Sequence, residues 1–266
     1  MPRLPVLVVQ HEPACPPGRL LGWAAEAGVI LDVRECHRGD TLPASLWDHG
    51  GLIVLGGQRG VYDDVRHPWL VTAKSLVIQS VLHEIPFLGV SLGYQLAGLA
   101  LGGRVAPHPY VKDFGVEAVT PTLEAAEDLL TAGLRQGDRW IQFNNDVISE
   151  APGGSVVLAR DRWGQIQIIR FARRAWGFQG HPEADAPMIA RWGPIEPATP
   201  SEVDQRAAIV LAAEAQGRHA APWAGVAGRF FALVTTPGDR GRSSTPPRPH
   251  TASSNAATPQ AETDDA

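Results

Sequence analysis

Three side chains in this sequence have the types and the company that nucleophilic catalysis needs. Ser91 is the centre of Gly89-Val90-Ser91-Leu92-Gly93, the G-x-S-x-G form. In that form a sharp strand-to-helix turn lifts the central side chain into the open, and the next backbone N–H can hold an oxyanion. The bland alternative is a serine that caps a helix starting at Leu92. The second element is "GFQGHPEAD", which carries His181 and Glu183. A histidine to take the nucleophile's proton and a carboxylate to orient it are the other two members of a triad. Pro182 between them favours an extended backbone, so both side chains leave the chain on one side. His11, His37, His49, His67, His83 and His108 have no such company and read as surface or loop residues. Arg59 and the pair Arg173-Arg174 read as solvated charges.

The elements that must position these groups alternate along the chain. "LPVLVVQ", "VILDVRE", "GLIVLGG" and "IPFLGV" read as buried strands. Helical spacing separates them at Gly18 to Ala27 and at Pro68 to Leu82. Continuous apolar strands alternating with helices predict a mostly parallel α/β sheet covered on both faces, with active groups at the carboxyl ends of strands. From Arg104 to Gln179 the strand candidates crowd together ("GVEAV", "RWIQFN", "SVVLAR", "QIQIIRF", "AWGFQG"), which predicts a small antiparallel addition. After Trp192 comes the proline-rich "GPIEPATP", then a capping box at Ser201 opening a helix to about Gln216. "PWAGVAGRFFALV" reads as a further helix, and 237–266 as a disordered tail of Ser, Thr, Pro, Ala and charge. The expected organisation is a core over 1–192, a helical extension over 193–236 and the tail.

Composition narrows the function classes. The chain has 266 residues, 44% hydrophobic, 19% charged, with a net charge of −5. A mildly acidic chain is a poor ligand for nucleic acid or anionic membrane, and neither is an expected partner. No apolar run has membrane-spanning length, and "MPRLPVLVVQ" is too short for a signal peptide's apolar region, so the cytoplasm is the expected compartment. Cys15 and Cys36 make no disulfide framework and no zinc motif; they read as small thiols in a reducing compartment. No metal and no cofactor is expected.

Together, "PFLGVSLGYQLAGLALGGRV" and the later "GFQGHPE" resemble the type 1 (triad) glutamine amidotransferase domain, in particular the GMP synthase glutaminase-like stand-alone subfamily. The family elbow reads G-[IV]-C-[LF]-G-x-Q and its late motif Q-F-H-P-E. "LIVLGGQRGVYDDVRHPWL" resembles the third-strand segment of the stand-alone relatives, and the likeness runs over residues 4–192. It implies a flavodoxin-like α/β fold and hydrolysis of the glutamine side-chain amide, with ammonia passed to a synthetase. Carried over by position, Ser91 stands at the nucleophile, His181 at the general base and Glu183 at its orienting carboxylate. The N–H groups of Gly57 and Leu92 form the oxyanion hole, and Gln95 shapes the glutamine pocket.

Three departures shape the expected activity. Serine replaces the nucleophilic cysteine at position 91. "IQFNNDVI" occupies the segment where relatives show Q-W-H-G-D, so Asn144 and Asn145 replace histidine and glycine while Asp146 is retained. Gly180 replaces a bulky aromatic beside the base, which predicts looser packing around His181. The leading expectation is a glutamine amidotransferase-like protein with lost or strongly reduced glutaminase activity, serving as a binding or regulatory module for glutamine or a related small amide. The alternatives are a serine-dependent amidase using Ser91, His181 and Glu183, or residual amidotransfer to a separate synthetase, since the sequence shows no ATP-binding domain of its own.

Overall fold

The structure is a computed structural model that describes residues 3–109, 113–192 and 220–236. The first half runs β1 (Val6–Gln10), α1 (Leu20–Glu26), β2 (Leu31–Glu35), β3 (Gly51–Val54), α2 (Trp69–Leu82), β4 (Phe87–Val90) and α3 (Leu92–Ala100). The second half is strand-rich: β5 (Arg104–Pro107), β6 (Asp113–Ala118), β7 (Thr120–Pro121), β8 (Arg139–Asn144), β9 (Asp146–Glu150), β10 (Val156–Arg160), β11 (Ile166–Ala172) and β12 (Ala175–Phe178). A short α4 (Ala186–Ile189) follows, and a last helix, α5, spans 220–235.

An eight-stranded sheet has the order β2-β1-β3-β4-β12-β11-β10-β7. The first five strands of that order pair in parallel, and β11, β10 and β7 continue it antiparallel. Two small antiparallel pairs, β5 with β9 and β6 with β8, complete the β-rich half. This is the flavodoxin-like α/β architecture, with the antiparallel addition where the strand candidates crowd.

Alternation along β1 shows why both sheet faces need cover. Val6 and Val8 point into a core shared with Leu20 and Ala24 of α1 and Trp223 and Phe230 of α5. Leu7 and Val9 point the other way, against Leu70 and Ala73 of α2 and Tyr94 of α3. Successive strand side chains face opposite sides, so a strand buried on both is apolar throughout, as "VLVVQ" nearly is. Helix α5 therefore packs on the sheet itself; Trp223 Nε1 donates to the carbonyl of Arg139 at 2.7 Å and Arg229 Nε to that of Leu130 at 2.7 Å. Arg174, read as a solvated charge, is buried and donates to the carbonyl of Leu233. His49 is also buried rather than on the surface, with Nε2 at 3.0 Å from Asp32 Oδ2. The helix expected over 201–216 and the tail over 237–266 lie outside the described residues. No described helix is long and apolar enough to cross a membrane.

Candidate active site

The parallel pairing of β1, β3, β4 and β12 brings their carboxyl ends to one edge. The sharpest turn there is at Ser91, whose φ of 50° and ψ of −109° lie outside the comfortable regions for a residue with a side chain. Such a conformation costs about 1–3 kcal/mol and persists only where the surroundings over-determine it. Here Ser91 N donates to the Phe178 carbonyl at 2.7 Å, Gln95 N donates to the Ser91 carbonyl at 2.9 Å, and Gly93 N donates to the Leu55 carbonyl at 3.1 Å. The flanking glycines are steric necessities. A Cβ on Gly89 would lie 2.8 Å from the Gly93 carbonyl, and one on Gly93 would collide with the carbonyl of Val54. Ser91 makes no side-chain capping bond to α3, which removes the helix-cap alternative. Its hydroxyl makes no hydrogen bond to any described residue.

Beyond β12 the chain bends through Gly180 to His181, whose N–H donates to the Ile141 carbonyl at 2.7 Å. His181 Nδ1 lies 2.8 Å from Glu183 Oε1, with both side chains buried. With the carboxylate oxygen as acceptor, Nδ1 carries the proton and Nε2 keeps its lone pair. The imidazole lies 4.7 Å from the Trp192 ring at 56°, and Gly56 leaves it no spare room: a Cβ there would be 2.7 Å from Cε1. The looseness expected from Gly180 is absent. The Trp140 indole of β8 occupies the space a side chain at 180 would need, with Nε1 2.6 Å from the Cβ position, and it stacks at 5.0 Å on Trp223 of α5.

Ser91 and His181 line one cavity of about 240 Å³, together with Gly57, Gln95, Asn144 and Asp146. Leu92 opens α3, so its N–H has no acceptor within the helix. Gly57 N also makes no hydrogen bond to a described residue, and a Cβ at Gly57 would be 3.2 Å from Leu92 Cδ2, so the two residues are in contact. Gln95 and Asn144 brace one point: their side-chain amides donate to the Asp146 carbonyl at 2.9 and 3.0 Å. Gln142 in turn donates to Asn144 Oδ1 at 2.6 Å. The Asp146 carboxylate has no partner among the described residues, and burial raises its pKa above the usual carboxylate value.

The sequence reading missed the far wall. Cys15, Arg59, Phe143 and Trp192 also line the cavity. Glu12 organises this side: its carboxylate accepts from Gln58 N at 2.7 Å, Arg59 Nη1 at 3.2 Å and Cys15 Sγ at 3.5 Å. Burial first, then the charges of Glu12 and Glu183, push the Cys15 thiol far up, which keeps it protonated and a poor nucleophile. Arg59 is thus a mostly buried cavity residue rather than a solvated charge, with its guanidinium 5.6 Å from the Trp69 ring centroid. His11 is not a surface residue either. It is fully buried, Nδ1 accepts from Trp69 Nε1 at 3.1 Å, and burial aided by Arg59 and His67 lowers its pKa to about 3. One signal could have found this wall: "QHEPAC" follows β1 just as the Gly56-Gly57 pair follows β3, and both are strand carboxyl ends.

A family model described as "Glutamine amidotransferase class-I" matches residues 24–187. Among curated relatives, the glutamine amidotransferase-like protein YfeJ of Salmonella typhimurium is 28% identical over 186 residues, covering 66% of this chain and 74% of that protein. A GMP synthase [glutamine-hydrolyzing] subunit of Halobacterium salinarum is 29% identical over 157 residues, covering 59% of this chain and 76% of that protein. Among solved structures, a glutamine amidotransferase from Thermotoga maritima superposes with a TM-score of 0.76 at 22% identity, over 89% of this chain and all of that one, which bears on the fold alone. With a matching model spanning more than half its length, the chain belongs to the class I glutamine amidotransferase family.

Proposed function

We propose that the cavity binds glutamine or a closely related small amide, and that glutaminase activity is lost or strongly reduced because Ser91 stands at the family's cysteine position. The observation that carries this reading is a hydroxyl on a strained elbow, facing the same cavity as the His181–Glu183 pair yet without a hydrogen bond to it. A cysteine there ionises readily beside an imidazole, because a thiol titrates near pH ~8.5. A serine hydroxyl is a far weaker acid, and its proton must leave during the attack itself. In the complete reaction Ser91 Oγ bonds to the amide carbon and His181 Nε2 accepts the proton. The N–H groups of Gly57 and Leu92 hold the oxyanion; ammonia then leaves with the proton from His181, and water cleaves the resulting ester. A site shaped for a large, pre-ionised sulfur performs the first of these steps poorly with oxygen.

The open cavity and the braced Gln95–Asn144–Asp146 corner favour retained binding, and with it a role as a binding or regulatory module. A second reading, a serine amidase, is favoured by the buried 2.8 Å His181–Glu183 contact, which would orient a working base. Any ammonia released would need an acceptor on another protein, as similarity to the Halobacterium GMP synthase subunit suggests. Ammonia release from glutamine by the wild type, Ser91→Ala and Ser91→Cys discriminates these readings. The expected pattern is near-background rates for the first two and a gain of at least about 100-fold for Ser91→Cys. Fast turnover by the wild type, abolished in Ser91→Ala, together with fluorophosphonate labelling of Ser91, would replace this reading with the amidase.

A further inference from the structure

We propose that Asp161, which lies outside the cavity, is a positioning residue for Asn144: through Gln167 and Gln142 it makes Asn144 present an N–H donor at the cavity wall. The ligand group opposite Asn144 must then be a hydrogen-bond acceptor. This deepens the reading above and rests on it.

Three amide side chains form a row between two acceptors. Asp161 sits in the turn between β10 and β11, where its Oδ1 accepts from Trp163 N and Gln165 N, both at 2.8 Å. Its Oδ2 accepts from Gln167 Nε2 at 2.9 Å. Gln167 Oε1 accepts from Gln142 Nε2 at 3.1 Å, and the same nitrogen donates to Asn144 Oδ1 at 2.6 Å. Asn144 Nδ2 ends the row on the Asp146 carbonyl at 3.0 Å. An ionised carboxylate and a backbone carbonyl can only accept. With acceptors at both ends, the three amides have one fully bonded arrangement: the outer two donate outwards and the middle one donates both ways. Nothing else sets the sense of Gln142, since its Oε1 is buried with no partner among the described residues. Gln142, Asn144, Asp161 and Gln167 are all buried, so a reversed amide leaves polar atoms unpaired at high cost.

The row reaches the cavity at Asn144, which lines it. One hydrogen of Nδ2 is used on Asp146, and the other has no acceptor among the described residues. Oδ1 is taken by Gln142, so what Asn144 has left to offer is a donor. Asp161→Asn turns the far end of the row into a donor. The N–H groups of Trp163 and Gln165 keep an oxygen at the Oδ1 position, so the new amide nitrogen faces Gln167. One mismatch then exists however the amides turn. The contacts from Asp161 to Asn144 are buried, whereas the bond from Asn144 to Asp146 is only partly buried, so the mismatch settles there. Asn144 then turns its oxygen to the cavity. Adding Gln167→Glu supplies a carboxylate one place further along. It accepts both from the amide at position 161 and from Gln142, and the original sense returns.

Two readouts on the full chain test this: the side-chain amide resonances of Asn144 by NMR, identified by their loss in Asn144→Leu, and calorimetric binding of L-glutamine. Asp161→Asn should shift the Asn144 resonances, speed their exchange with solvent and weaken L-glutamine by about 5- to 10-fold. Combining it with Gln167→Glu should return the resonances to their wild-type positions and the affinity to within about twofold of wild type. In an Asn144→Leu background, Asp161→Asn should change affinity by less than about twofold, because the residue it acts through is gone. A loss of binding or of folding that Gln167→Glu does not rescue would assign Asp161 to the turn alone and overturn the inference. A loss of affinity that persists without Asn144, or Asn144 resonances unmoved by Asp161→Asn, would overturn it equally. The resonances need no ligand, so they decide the inference even if wild-type protein fails to bind L-glutamine; that failure overturns the amide-binding reading instead.

Discussion

Gly56→Ala tests whether the position of His181 is fixed by packing. Gly56 has no unusual φ, so alanine adds only a methyl group, with no backbone strain. That methyl would sit 2.7 Å from His181 Cε1, 3.5 Å from Nδ1 and 3.4 Å from Ser91 Cβ. Ordinary contact begins near 3.4 Å, so the ring must retreat by roughly 0.7 Å. Movement of the ring disturbs its contact with Trp192 at 4.7 Å and is opposed by the 2.8 Å bond to Glu183. Overpacking of this kind costs about 1–3 kcal/mol, a fall in melting temperature of a few degrees for a domain of this size. A misplacement approaching 1 Å at a reacting group costs about 100-fold in rate. Differential scanning calorimetry reads the first effect in the wild-type background. Glutaminase rate reads the second in the Ser91→Cys background, where Gly56→Ala should reduce kcat far more than it raises KM. A melting temperature within about one degree of wild type, with imidazole chemical shifts unmoved, would refute the idea that the ring is wedged.

Two further outcomes follow from buried groups. His11 titrates at about 3 in the folded protein against an ordinary histidine value of 6.5, so between those pH values the unfolded chain holds more protons and stability must rise with pH. The full loss on acidification is roughly 4–5 kcal/mol, absent above pH 6.5 and complete only near pH 3. Urea midpoints of the wild type and His11→Gln should converge as pH falls through this window, and parallel pH profiles would contradict it. Trp223→Ala removes a buried indole that stacks on Trp140 and donates to Arg139, at an expected cost of about 3–5 kcal/mol. Hydrogen exchange should then accelerate in β8 and at the 180–181 turn as well as in α5; acceleration in α5 alone would show that the helix does not support the site.

What the sequence made legible is the part whose chemistry is local. The turn at Ser91 needs small neighbours within two residues, so Gly89 and Gly93 mark it in any reading. His181 and Glu183 are two residues apart, and their contact needs nothing from the rest of the chain. Helix and strand order was legible because burial on two faces leaves unbroken apolar runs such as "VLVVQ". The far wall was hidden because it exists only after β1 pairs with β3, which sets Glu12 beside Gln58 and Arg59 across 46 and 47 residues. The expected looseness at Gly180 failed for the same reason. The missing aromatic is supplied by Trp140, which reaches the turn from β8 and is held there by Trp223 of α5.

Three local costs meet at this one cavity, and their coincidence bears on what the serine is for. Ser91 holds a strained backbone that a helix cap would not require, since it makes no capping bond. Glu183 is completely buried, with Oε2 lacking a partner among the described residues. Arg59 is held with its Nε buried and likewise unpaired. Each of these lowers stability unless something engages the group, and buried polar atoms are otherwise nearly always satisfied. A scaffold serving only as a folded surface would be more stable without them: glycine at 91, an apolar residue at 183, a short side chain at 59. The strain and the unpaired groups favour a cavity that still takes a ligand. On the proposed reading the change from sulfur to oxygen acts on the step after binding, so Ser91→Cys should raise the glutaminase rate and leave glutamine affinity within about twofold of wild type; a matching change in affinity would contradict it.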